Sequence, residues 1–258
     1  MKEQKILITG TSSGIGRYLK DHLICESFNR SSSHNVNQNN TYEIIIHCAF
    51  NMNRLENHDN FYEYLEDTLT LTRSLTSIKH KLFIFLSSID VYPLNGLEHN
   101  ETEIINPNQL SSIYPIFKLA CESIVKKESV NFLILRPGML LGTYMRKNNL
   151  TKILFNQEKK SRLSLSESSC YHCVLYEDIL STIQYALKFP ITGTYNIVRS
   201  KKVSVGSLVQ LYNPRLEFGA YNYSPDPISN EKIVNLIPSL KKSSLQAVEE
   251  FISINKSK

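Results

Sequence analysis

The chain contains no apolar run approaching the roughly 20 residues that a membrane-crossing helix requires, so no membrane anchor is expected. Its start, Met1-Lys-Glu-Gln-Lys5, leads straight into a strand-like segment, and no signal peptide is expected either. Cysteine is sparse. The five cysteines are odd in number and irregularly spaced, which argues against a disulfide framework and for a reducing cytoplasm. Cys170-Tyr-His-Cys173 has a metal-like gap, but no second cysteine or histidine pair follows it, so a metal site is not expected. Cys48 and Cys121 read instead as small buried hydrophobes. Charge of one sign is also not in large excess: 29 basic against 24 acidic residues leave a net +5, with the bases scattered. That balance argues against nucleic acid as a partner and is compatible with an anionic small molecule.

At 258 residues, with 41% hydrophobic content, the chain is long enough for one large domain with a small appendage. Apolar, β-branched runs recur at Lys5–Thr9, Glu43–His47, Leu82–Leu86, Asn131–Leu135, Cys173–Leu175 and Thr194–Val198. Helical patterns lie between most of them, at Ile15–Cys25, Phe61–Ile78, Pro115–Lys127 and Asp178–Phe189. This alternation predicts an α/β fold: a doubly wound parallel sheet, with ligands at the carboxyl ends of its strands. Between Glu26 and Thr41 the chain turns Ser- and Asn-rich. There is room for a short strand near Ser27–Arg30 but not for the usual following helix, so this edge should be trimmed. The last sixty residues lose the alternation and end in a helical pattern near Ser243–Ile254. The expected division is a dinucleotide-binding domain over residues 1–142 and 173–198, with a small C-terminal substrate lobe over 143–172 and 199–258.

The run Ile6–Gly10 enters Thr11-Ser-Ser-Gly14-Ile-Gly16, a glycine pattern in strand–turn–helix context. The turn residues Gly10, Ser12, Ser13, Gly14, Ile15 and Gly16 are expected to cradle a pyrophosphate at the helix amino terminus. Cofactor choice depends on the end of the second strand, which reads Phe28-Asn29-Arg30-Ser31 and holds no carboxylate for a ribose 2′-hydroxyl. Asn29, Arg30 and Ser31 suit a 2′-phosphate, favouring NADP(H) while leaving NAD(H) open. Asn35 is expected at the adenine and Ala49 at the nicotinamide ribose.

Of fourteen tyrosines only Tyr114 has a lysine four residues later, Lys118, and Ser88 lies twenty-six residues before it at the end of an apolar run. In a helix opened by Pro115, Tyr114 and Lys118 would project to the same side. A free phenol titrates near 10, and a neighbouring ammonium would bring it within reach of neutral pH. Ser88 would donate to a substrate oxygen whose charge changes as hydride moves.

At these residues the sequence resembles the short-chain dehydrogenase/reductase superfamily, specifically its extended branch of NAD(P)-dependent sugar-nucleotide epimerases, dehydratases and reductases. Further landmarks are similar: Ile46-His-Cys-Ala49, Ser87-Ser-Ile-Asp-Val-Tyr-Pro93, Leu135-Arg-Pro-Gly-Met-Leu-Leu-Gly142, the Glu177-Asp-Ile179 segment and Gly193–Val198. The resemblance implies a Rossmann domain, with Ser88, Tyr114 and Lys118 catalytic. It also places Ser87, Pro137 and Gly138, with Tyr114 and Lys118, along the cofactor. It implies a nucleotide-sugar substrate and a homodimer in which Phe61–Ile78 and Pro115–Lys127 pair with their symmetry mates. Where dehydratases carry Asp-Glu after the catalytic hydroxyl this chain has Ile89-Asp90, so a keto-reductase or an NAD-retaining epimerase is expected rather than a dehydratase. Met139 stands where many epimerases have asparagine, and Arg162 or Lys160 would have to supply the diphosphate contact. A reductase of a non-sugar carbonyl and a catalytically silent NADP-binding sensor are the remaining readings.

Overall fold

Six strands form one all-parallel sheet: β1 (Ile6–Thr9), β2 (Glu26–Phe28), β3 (Thr41–His47), β4 (Lys79–Leu86), β5 (Phe132–Pro137) and β9 (Gly193–Ile197), in the order β2-β1-β3-β4-β5-β9. The structure, a computed structural model, describes residues 5–28, 40–50, 61–110, 112–155 and 162–256. Strand alternation sends successive side chains to opposite faces, and here both faces are covered. Ile6, Ile8, Ile44, Ile46, Ile84, Leu86, Leu133 and Leu135 point towards α1 (Gly14–His22) and α5 (Tyr176–Lys188), meeting Leu19, Ile179 and Ile183. Leu7, Ile45, Phe83, Phe85 and Ile134 face α2 (Phe61–Thr76) and α3 (Ile113–Glu128), meeting Leu75, Cys121 and Val125. Each such fully buried side chain contributes about 1.5–3 kcal/mol, which is why strands sandwiched between helix layers read as apolar runs.

After β1 the chain adds β2 on one side and then returns to place β3 on the other. The carboxyl ends of β1 and β3 therefore flank the crevice where a doubly wound sheet takes its ligand. β2, three residues long, is the sheet edge. It starts one residue earlier than the sequence pattern implies. The stretch 29–39 after it, with Asn29, Arg30, Ser31 and Asn35, lies outside the described residues.

Two sequence expectations need correction. Cys173–Leu175, β8, does not join the central sheet; it pairs with β6 (Met139–Leu141) in a separate two-stranded parallel sheet. The reason is register: Gly193–Ile197 already takes the free edge of β5 at Leu133–Pro137. Helix α3 starts at Ile113, with Ser112 as its N-cap, so Pro115 is the third helical residue and not the first. A proline anywhere in the first turn is tolerated, because those N–H groups have no intrahelical acceptor.

A second core gathers Leu141, Leu150, Ile153, Leu163, Leu165, Tyr171, Cys173, Val203, Leu208, Val248 and Phe251. Its elements are β6, α4 (Asn149–Phe155), β7 (Cys170–Tyr171), β8, β10 (Val203–Ser204), α6 (Val205–Tyr212) and α8 (Ser244–Lys256); α7 (Glu231–Val234) packs instead on the sheet core through Ile233. The Glu177-Asp-Ile179 landmark gains its reason at the junction of the two cores. Asp178 accepts from Leu175 N at 2.9 Å and from the buried Arg199 Nε at 3.0 Å, and Arg199 Nη2 donates to Glu250 Oε2 at 3.1 Å. Among the described residues no helix is long and apolar enough to cross a membrane, and no group of three or more metal-ligating side chains occurs.

Candidate active site

The turn after β1 is built for close approach. Gly10 holds φ +73°, and a Cβ on it would lie 2.8 Å from Ala49 N, so β1 and β3 meet here only through glycine. A Cβ on Gly16 would run into the Gly10 carbonyl, so α1 also sits tight against the turn. Ser12 and Ser13 are exposed at the turn, and Ser13 is the N-cap of α1 without a side-chain cap bond. The Gly14 N–H is engaged by another loop: it donates to Tyr144 O at 3.1 Å. Tyr144 has φ +75°, and Arg17 lies 4.0 Å over its ring.

His47 ties this turn to the helices behind it. Its Nδ1 lies 2.8 Å from Thr9 Oγ1, which accepts from Cys48 N and Ala49 N at 3.2 and 3.1 Å. Its Nε2 lies 3.2 Å from Thr72 Oγ1, whose own proton goes to Thr68 O at 2.9 Å. These partners are consistent only with a neutral ring protonated on Nε2. Burial, helped by the Lys118 charge, pushes the imidazole down to about 3, so the ring stays neutral at ordinary pH. The strand-end His-x-Ala is thus a brace holding Ala49 against Gly10.

Ser88 and the Tyr114–Lys118 pair both border the carboxyl end of β4: Ser88 follows it in the chain, and Lys118 bonds its last carbonyl, Leu86 O. Ser88 follows the last strand residue by two and caps a short 3-10 turn, Ile89–Val91. Its hydroxyl donates to Asp90 Oδ2 at 3.1 Å and accepts from Asp90 N at 3.2 Å. Asp90 Oδ1 accepts from the Tyr223 hydroxyl at 2.7 Å. Burial raises the Asp90 carboxyl above its ordinary value, although Tyr223 and Ser88 oppose the shift. Asp90 and Tyr223 are the main additions that the sequence did not disclose. Asp90 was visible only as a departure from a motif, and Tyr223 lies 109 positions further on than Tyr114.

Lys118, one turn after Tyr114 on α3, is 4% exposed and donates to Leu86 O at 2.6 Å. Three rings surround its ammonium: Phe50 at 4.1 Å, Phe85 at 5.1 Å and Tyr114 at 5.8 Å. Burial brings its pKa down to about 8, against the pull of Cys121, Cys48 and Glu122. Phe50 stands edge-on to Tyr114, 5.1 Å between centroids.

The neighbouring serine does something different. Ser87 Oγ donates to Glu122 Oε1 at 2.6 Å, and Glu122 takes both arms of Arg136, at 2.9 and 2.7 Å. Arg136 Nη1 donates to Tyr92 Oη at 2.8 Å, and that hydroxyl donates on to Asn196 Oδ1 at 2.8 Å. Burial would raise the Glu122 carboxyl, but the Arg136 fork outweighs it and holds the group below its usual range. The Ser87 hydroxyl is thus engaged in a buried network with Glu122 and Arg136. Pro137 ends β5 at the same sheet edge, and Gly138 N donates to Ile197 O at 3.1 Å.

A nicotinamide dinucleotide fits this donor set. The cradle at Gly10 and Gly16 would be filled by any Cβ, α1 begins at Gly14 directly after the turn that follows β1, and a buried ammonium lies over the rings of Phe50 and Tyr114. Comparison with curated proteins found no match. Among solved structures, the UDP-N-acetylglucosamine 4-epimerase of Bacillus cereus is 21% identical over 97% of this chain and 96% of its own, with a TM-score of 0.72. MoeE5, in complex with UDP-glucose and NAD, is 15% identical over 98% and 99%, with a TM-score of 0.78. A dTDP-4-dehydrorhamnose reductase from Bacillus anthracis, in complex with NADP, is 16% identical over 96% and 98%, with a TM-score of 0.73. At these identities the likeness is one of fold. The model of the NAD dependent epimerase/dehydratase family, however, matches residues 23–168, more than half of the chain. The chain belongs to the NAD dependent epimerase/dehydratase family.

Proposed function

We propose that this protein is an NAD(P)-dependent oxidoreductase that moves a hydride to or from a keto or hydroxyl carbon of a nucleotide-activated sugar. The observation that carries this reading is Lys118, one turn after Tyr114, bonded to Leu86 O at the end of β4 that Ser88 follows and lying over Phe50, the residue after the Ala49 that packs on Gly10. The bound nicotinamide supplies or accepts the hydride. In reduction the substrate carbon gains that hydride and its oxygen takes the Tyr114 phenolic proton; in oxidation Tyr114 removes the proton. Lys118, an ammonium held out of water, favours the phenolate and would hold the ribose of a bound nucleotide. Ser88 donates to the same substrate oxygen.

Ser88 has one proton, and Asp90 takes it while Asp90 is ionised. With Asp90 neutral, its own hydroxyl can donate to Ser88 Oγ, which frees the serine proton for the substrate. Burial shifts the Asp90 carboxyl upward, the direction that favours this exchange, while the bonds from Tyr223 and Ser88 oppose it. Residues 143–172 and 199–258 form the substrate lobe in this reading, and Tyr223 brings the lobe to Asp90. NADPH is the preferred reductant because Phe28–Ser31 holds no carboxylate for a ribose 2′-hydroxyl. A net reductase is favoured over an NAD-retaining epimerase on the same ground.

The test is turnover of UDP-glucose, UDP-N-acetylglucosamine and dTDP-4-dehydrorhamnose by wild type and Tyr114→Phe. NADPH absorbance and product chromatography are followed together. Net NADPH loss marks a reductase, and isomerisation without it an epimerase. Tyr114→Phe should lower turnover by roughly 10²–10⁴ with cofactor Kd nearly unchanged. Wild-type rates in the variant would overturn the assignment.

A further inference from the structure

We propose that Phe50 controls access to Lys118: its ring covers the ammonium, and a nicotinamide ribose must displace that ring to bind. This rests on the nicotinamide reading above and adds a residue that acts through Lys118. Among the described residues the groups against Nζ include Leu86 O and the rings of Phe50, Phe85 and Tyr114, and Lys118 is 4% exposed. A hydroxyl that is to reach Nζ must push one of these aside.

Most of them are fixed. Leu86 ends β4, and the next residue is locked in the sheet by Ser87 N donating to Leu135 O at 2.7 Å. Phe85 is 1% exposed within the core formed with Ile134 and Cys121. Tyr114 is held in the first turn of α3. Phe50 differs. It is half-buried, lies beyond the end of β3, and stands one residue past Ala49, the last backbone N–H bonded to Thr9. Rotation of its side chain breaks no strand or helix hydrogen bond. The same ring keeps water from the ammonium, in keeping with the depressed Lys118 pKa. Phe50 is thus a positioning residue with two effects: it holds Lys118 dry beside Tyr114, and it competes with the ribose for the same nitrogen.

The experiment is calorimetric titration of NADPH and NADH into wild type, Phe50→Ala, Lys118→Met and the double variant. Phe50→Ala should tighten the better-bound nucleotide by roughly ten- to thirtyfold, the equilibrium equivalent of one desolvated cation–π contact. In the Lys118→Met background the same substitution should change affinity by less than about twofold, the expectation if the ring acts only through the ammonium. A thermal melt checks folding, and Phe50→Leu, which keeps apolar bulk without a π face, is read by the same criteria if alanine unfolds the loop. Unchanged or weaker binding in Phe50→Ala overturns the proposal, as does an equal gain with and without Lys118. If wild type binds and Phe50→Ala is neutral, only the role of Phe50 falls. If none of the four proteins binds either nucleotide, the nicotinamide reading falls with it.

Discussion

Replacing Lys118 with methionine should make this protein more stable while damaging its chemistry. In the folded chain burial brings the lysine to about 8, against 10.5 for the free side chain. A gap of that size corresponds to roughly 3 kcal/mol, at about 1.4 kcal/mol per pKa unit. The sign follows from proton counts. Between pH 8 and 10.5 the unfolded chain binds more protons than the folded one, so wild-type stability rises with pH across that window. Below pH 8 the whole penalty is present; above 10.5 it is gone. Methionine matches the length of the stem without the charge, and it forfeits the bond to Leu86 O, a loss of about 1 kcal/mol. The net gain expected at pH 7 is about 2 kcal/mol, or roughly 4–8 °C in Tm for a domain of this size. Urea melts of both proteins at pH 7, 8, 9 and 10 test this. The advantage of Lys118→Met should shrink steadily as pH rises. A variant less stable than wild type at pH 7, or an advantage that does not vary with pH, would refute the reading of Lys118 as a dry, charge-penalised ammonium.

Glu122→Ala leaves Arg136 buried with its fork unpaired, and chemical denaturation should show a loss of about 3–5 kcal/mol; a loss under 1 kcal/mol would show that the pair is dispensable. Asp90→Asn keeps an acceptor for Tyr223 and a permanent donor for Ser88. If neutral Asp90 is the working form, the variant should retain turnover and lose the decline that wild type shows as pH rises through the Asp90 pKa, measured as kcat against pH. A matching decline in both proteins would count against it. The apolar positions Leu65, Leu69, Leu71, Ile116 and Leu119 stay partly exposed or exposed along α2 and α3, and a dimer through these helices should appear as a doubled mass by light scattering at micromolar concentration. A monomer there would dismiss that interface.

Much of the fold was legible because it rests on local rules. Apolar runs of strand length separated by amphipathic helices can be covered on both sides in few ways, so the runs Lys5–Thr9, Glu43–His47 and Leu82–Leu86 were recognisable before their pairing, and the longer strands Thr41–His47 and Lys79–Leu86, were known. The glycine turn was legible for a related reason: at Gly10 and Gly16 backbone must meet backbone, and only one residue type permits it. Tyr114 and Lys118 share a helix, and a separation of four places them on one side whatever surrounds them. Tertiary structure alone decided what those side chains touch. Nothing local separates Ser87 from Ser88, yet one is bonded to Glu122 and the other to Asp90, because successive residues at a strand end face opposite layers. Tyr223 reaches Asp90, and Phe50 covers Lys118, through contacts between segments far apart in the chain. Their energies depend on burial and partners, and burial is a property of the folded whole.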